Sequence, residues 1–117
     1  MINTYTRTYD AKGKDVNKLD IVIRYEKGGW SYMTGRESQR GYYFSVTPYE
    51  QSGMWRTYRA FSGSKTCVLP CGRQSKKRFE EACSMIDDLT ARYLPAWLEE
   101  SGVELVNGEY AESYEER

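Results

Sequence analysis

Histidine is absent from all 117 residues of this chain, which removes the side chain that most often carries protons or holds metals near neutral pH. Only 3 cysteines occur, Cys67, Cys71 and Cys83, too few for a disulfide scaffold and one short of the four ligands of structural zinc. The spacing of Cys67 and Cys71 also departs from the common two-residue knuckle, and Cys83 falls within an apolar helical stripe. No apolar run approaches the roughly 18 residues of a membrane-spanning helix, and residues 1–7 lack the apolar core of a secretion signal. A cytoplasmic protein with reduced cysteines and no membrane partner is the resulting expectation. Glycine pairs such as Gly28-Gly29 do not form a phosphate-loop or dinucleotide fingerprint, and Asp87 and Asp88, adjacent on a helix, diverge. The chain therefore reads as non-enzymatic, with no cofactor and no metal.

Charge, by contrast, is plentiful and sorted. Residues 1–78 hold 15 Lys and Arg against 6 Asp and Glu, and residues 79–117 hold 2 against 11, so a formal net charge of zero conceals +9 followed by −9. Opposed fields of this kind steer binding to surfaces of opposite sign or hold two halves of one protein together. Aromatics are the other surplus: 11 Tyr, 3 Trp and 3 Phe must carry much of the burial in a chain that has room for one modest core.

Along the chain, residues 8–18 show no periodicity and read as a loop. Residues 19–26 alternate, with Leu19, Ile21, Ile23 and Tyr25 on one face, and Lys27-Gly28-Gly29 predicts a hairpin returning over residues 30–34. Residues 40–47 resume strand composition until Pro48, residues 54–61 form a strand with two mixed faces, and residues 65–69 a short last one. From the N-cap Ser75, the positions Phe79, Ala82, Cys83, Ile86, Leu89, Thr90, Tyr93, Leu94 and Trp97 recur at the spacing of one buried helical stripe. Pro95 predicts a kink or break near residues 93–95, and Gly102 the end. Residues 1–102 are thus one domain, and residues 103–117 an acidic, flexible tail, with the short segment 103–106 either a strand or a docked turn.

The predicted fold is α+β: an antiparallel curved sheet of four to five strands followed by one long C-terminal helix packed on one face. This element order resembles the compact single-stranded-DNA-binding coactivator fold, which implies a homodimer; the likeness is of element order and carries no residue or function to this chain.

Between residues 36 and 78 nine cations stand against Glu37 and Glu50, interleaved with aromatic rings. Arg73, Lys76, Lys77 and Arg78 lie where a helix N-terminus is already positive, a cost that a bound phosphate would offset. Arg40, Arg56, Arg59 and Lys65 extend that set, and Tyr43, Trp55 and Tyr58 offer stacking surfaces for bases. The expected function is a non-enzymatic nucleic-acid-binding accessory protein taking single-stranded DNA or RNA on a basic aromatic sheet face. The alternative is a protein-interaction module, or an acidic decoy displaying its glutamate tail to a basic partner.

Overall fold

Eight strands and two helices fill residues 3–33, 35–58 and 64–116, which are the residues the computed structural model describes. In chain order they are β1 (Thr4–Gly13), β2 (Val16–Glu26), β3 (Gly29–Ser31), β4 (Arg36–Ser38), β5 (Gly41–Ser52), β6 (Trp55–Tyr58), β7 (Lys65–Pro70), α1 (Lys76–Ser84), α2 (Ile86–Ser101) and β8 (Glu104–Glu115). Six strands make one antiparallel sheet in the order β6-β5-β2-β1-β8, with β7 also on β5, while β3 and β4 form a separate ribbon.

The two short strands β6 and β7 share one edge of β5. Tyr49–Ser52 pair with β6 and Gly41–Ser45 with β7. Pro48 lies between those two stretches. The Val46 N–H points to the Ser64 carbonyl on this edge, and Pro48, two residues on, faces the same side where no ladder bond is required. The strand therefore continues through the proline instead of ending there.

This architecture corrects the curved sheet with one long C-terminal helix. The main sheet has six strands, is uncurved and unclosed, and carries two separate helices followed by a final strand. The helical pattern breaks at Met85, whose N–H reaches back to the carbonyls of Ala82 and Cys83, while the Ser84 hydroxyl donates to the Glu81 carbonyl at 2.6 Å. That local hydroxyl bond competes with the helical ladder. Pro95, in contrast, sits inside α2 on its exposed side, where water can reach the Ala91 carbonyl that the proline leaves without a donor. The acidic stretch expected to be a tail is β8, paired with β1 from Thr4↔Glu115 to Lys12↔Glu104. Its outer side is an edge that the glutamates protect from further pairing. The predicted hairpin partner of β2 is also different: β2 pairs with β1 and β5, and Gly28-Gly29 opens the β3–β4 ribbon.

One face of the sheet is covered by the helices. Tyr5, Tyr9 and Ala11 of β1, Leu19, Ile21 and Ile23 of β2, and Tyr42, Phe44 and Val46 of β5 alternate into the core beneath Phe79, Ala82, Ile86, Leu89 and Leu94. Aromatic contacts tie the layers, with Tyr42 and Phe79 centroids 6.0 Å apart and Phe44 and Tyr93 5.9 Å apart. The other face is polar, bearing Thr6, Thr8, Asp20, Arg24, Ser45 and Thr47.

Candidate functional site

The register of β5 separates the predicted contact residues into two groups. Tyr43 and Lys65 sit at the end of the sheet where β5 begins and β7 runs, whereas Trp55 pairs with Ser52 at the far end of β5. Nine residues at roughly 3.3 Å each place Tyr43 and Trp55 about 30 Å apart along the strand, while Lys65, opposite Ser45, and Tyr58, opposite Tyr49, are four residues or about 13 Å apart. The predicted residues are therefore strung along the length of β5 and not gathered at one place.

At the β5 start, the loop leading to α1 is pinned to the sheet. The Arg40 guanidinium donates to the carbonyls of Lys27 and Gly72, each at 3.0 Å, Tyr25 donates to the same Gly72 carbonyl at 3.3 Å, and the Cys71 N–H donates to the Arg40 carbonyl. Arg40 is thus a structural clamp as well as a cation. Ser75 then caps α1, its Oγ accepting from the Arg78 N–H at 3.1 Å, while Tyr42 donates to its carbonyl. These bonds fix the direction in which Arg73, Lys76 and Lys77 project. All three are exposed and have no partner among the described residues, and the first turn holds no acidic side chain. Arg78 instead pairs with Glu81 at 3.0 Å, and Lys65 pairs with Glu26 while lying 5.2 Å from the Tyr43 ring centroid. Tyr43 is half-buried, its hydroxyl bonded to the Gln39 carbonyl, and burial raises its pKa. It stiffens the strand and offers little open ring.

A cleft of about 490 Å³ opens at this same end. Arg24, Lys27 and Lys65 line it around the single carboxylate Glu26, with Ser38 and Gln74 beside them. The Gln74 Oε1 is buried there without a partner among the described residues. Above the cleft stands the β3–β4 ribbon. Gly28 has φ +69° and comes so close to the returning chain that a Cβ would sit 2.5 Å from the Ser38 carbonyl oxygen, so the ribbon's base requires glycine. The ribbon presents Trp30 and Tyr32 to solvent, the latter 94% exposed. Lys27 lines the cleft, while Trp30, Tyr32 and Arg36 lie out along the ribbon, and none of the four was in the predicted contact set. The Gly-Gly signal followed by Trp could have pointed to an exposed ribbon, but parity assigned Trp30 to a sheet strand.

The second group behaves differently. Trp55 is 81% exposed at the β5–β6 turn, Arg56 lies over the Tyr49 ring at 5.4 Å, and Tyr58 packs 5.4 Å from the same ring. The Tyr58 hydroxyl bond raises the Arg56 pKa, aided by attraction to Tyr49. Arg59 lies outside the described residues.

The cysteines are partly buried and free. Burial pushes the Cys83 thiol up to about 11 and raises Cys67, so neither is predisposed to the thiolate. Among the described residues no group of three or more Cys, Asp or Glu is placed to hold a metal ion, and no helix is long and apolar enough to cross a membrane. No known family model, curated protein or solved structure matches this chain.

Proposed function

We propose that the protein is a non-enzymatic accessory protein that binds single-stranded DNA or RNA at its cationic end, and not across the open sheet face. The observation that carries this reading is the trio Arg73, Lys76 and Lys77, exposed and unpartnered among the described residues on a rigidly pinned helix start, next to a cleft holding Arg24, Lys27 and Lys65. Trp30 and Tyr32 on the neighbouring ribbon supply flat surfaces for bases. Cations at the helix start and exposed rings on the ribbon match what a flexible single strand presents, phosphates on one side and unstacked bases on the other.

The test is a titration of labelled single- and double-stranded oligonucleotides at two salt concentrations. If Lys27, Arg36, Arg73, Lys76 and Lys77 each meet a phosphate, raising salt from about 50 to about 200 mM weakens single-strand affinity roughly 100-fold, and by less than about 10-fold once Arg73, Lys76 and Lys77 are all alanine. Trp30→Ala lowers affinity while leaving that salt slope intact. Binding that ignores salt, or a triple variant with an unchanged slope, refutes the reading.

A further inference from the structure

The helix-free sheet face carries a second cavity, of about 320 Å³, which shares Arg24 with the cleft near the helix start and is lined almost wholly by polar groups. Its floor is Asp20. Oδ1 of this carboxylate accepts from the Thr8 hydroxyl at 2.8 Å and the Tyr49 hydroxyl at 3.1 Å, which fixes the side chain. Thr6 is only 8% exposed, yet its hydroxyl has no partner among the described residues and faces this space. Thr47 and Ser45, across on β5, line it with hydroxyls equally unbonded among those residues.

The walls bring two guanidiniums, Arg24 and Arg56, against two carboxylates, Asp20 and Glu115, so the cavity has no net charge with which to select an anion or a cation. Arg24 is moreover engaged with Glu26 at 3.1 Å. What remains on offer is a set of hydroxyls that each donate and accept, a carboxylate with one oxygen in use, the Arg56 fork and the Tyr58 ring at the rim. A ligand that satisfies such a set must itself carry several groups that both donate and accept, together with an apolar C–H face for the ring. The volume holds about ten waters, near the lower end of small-molecule sites.

We infer that this cavity binds a neutral polyhydroxylated ligand, a single saccharide ring whose adjacent hydroxyls bridge Asp20 and Arg56 while the others meet Thr6 and Thr47. Among its lining residues only Arg24 is shared with the cleft of the oligonucleotide reading, and Arg73, Lys76, Lys77, Trp30 and Tyr32 take no part in it.

The test is a chemical-shift titration of the isotope-labelled full chain with D-glucose, D-galactose, D-mannose and N-acetyl-D-glucosamine, each alone. Saturable shifts grouped around residues 6, 20, 47 and 113 are expected with at least one of them. Thr47→Val and Arg56→Met, both surface-facing and compatible with a folded sheet, should each weaken that binding at least about fivefold, whereas alanine at Lys76 and Lys77 should leave it unchanged. No saturable shift with any of the four sugars overturns the inference. So do shifts confined to other regions, binding unaffected by both cavity variants, or binding of AMP in this cavity without any neutral sugar.

Discussion

Arg7 is a charged residue on the core face of β1, and its replacement should separate packing from charge in the stability of this fold. Its side chain is 10% exposed, with Nη1 2.7 Å from Asp87 of α2 and Nε donating to the Tyr5 hydroxyl at 2.8 Å. The guanidinium also lies 4.4 Å from the ring centroid of Tyr110 on β8, so one side chain links strand, helix and final strand. Burial opposes its charge, but the bonds to Tyr5 and Asp87 outweigh that cost and raise its pKa. The buried methylene stem contributes about 2 kcal/mol. The Tyr5 bond and the Tyr110 contact contribute about 1 kcal/mol each. The Asp87 pair adds little, because its carboxylate is 84% exposed and well screened. Releasing the guanidinium from its desolvation returns about 1 kcal/mol. Arg7→Ala should therefore cost about 3 kcal/mol and lower Tm by roughly 12 °C, and Arg7→Met, which keeps the stem, about 1 kcal/mol and roughly 4 °C. Asp87→Asn should change stability by less than about 0.5 kcal/mol. Urea unfolding followed by circular dichroism gives all three values. A methionine variant as unstable as the alanine one, or an asparagine variant that costs as much as either, refutes the assignment of the stability to the buried stem.

Alkaline pH should destabilise the fold in a defined window. Burial, with Glu112 adding and Arg7 opposing, pushes Tyr5 from 10.0 up to about 12, and burial together with Asp20 pushes Tyr49 to about 12. Both pKa values are raised on folding, so their contribution is complete below pH 10 and declines as pH rises from about 10 through about 12; a urea midpoint that is flat across that window contradicts this, and Tyr49→Phe should shallow the decline. Deleting residues 104–117 should unfold the domain or leave it aggregated, because Tyr114 and Tyr110 pack on Tyr5 and Tyr9 at 4.8 and 5.3 Å and the β1 edge would be bared. A truncated chain that melts as cooperatively and as high as the full one would show β8 to be dispensable. Thr90 Oγ1 is buried without a partner among the described residues, so Thr90→Val should be neutral or stabilising by up to about 1 kcal/mol, read from the same urea curves.

The parts of this fold legible in the sequence are those where apolar parity is uninterrupted. Leu19, Ile21 and Ile23 identify β2, Tyr42, Phe44 and Val46 identify the first half of β5, and Phe79 to Leu94 identify the helical face. β1 escaped because Arg7 occupies a core-facing position between Tyr5 and Tyr9, and its contacts with Asp87 and Tyr110 come from far along the chain. β8 escaped for a related reason: its tyrosines and Glu112 read as a solvated tail until β1 supplies the partners for each. The helix break was placed at Pro95 because sequence reasoning weighs the ring's missing donor, and not whether the orphaned carbonyl faces water. At the cationic end the types of residue were visible, but the register that sends Trp55 away from Lys65 was not, since pairing partners are a property of the whole sheet.

The sorted charge can now be followed into three dimensions. If the opposed halves existed to neutralise each other, ion pairs should cross between residues 1–78 and 79–117. Among the described residues the crossing pairs are Arg7–Asp87 and the local Arg78–Glu81, while Lys18–Asp10, Arg24–Glu26 and Lys65–Glu26 stay within the first half. Backbone ladder bonds, stacked tyrosines and the Tyr5 hydroxyl's bond to Glu112 hold the acidic strand to β1. Most of the excess of each sign therefore survives folding, cationic around the start of α1 and anionic along α2 and β8. A molecule with such a field is oriented by it before contact, so an anionic polymer approaching at low salt meets the Arg73 end first and is repelled from the β8 edge. That argument predicts an association rate falling steeply with ionic strength, and it fails if charge reversal of Glu104 and Glu109 on β8 changes that rate as strongly as charge reversal of Lys76 and Lys77.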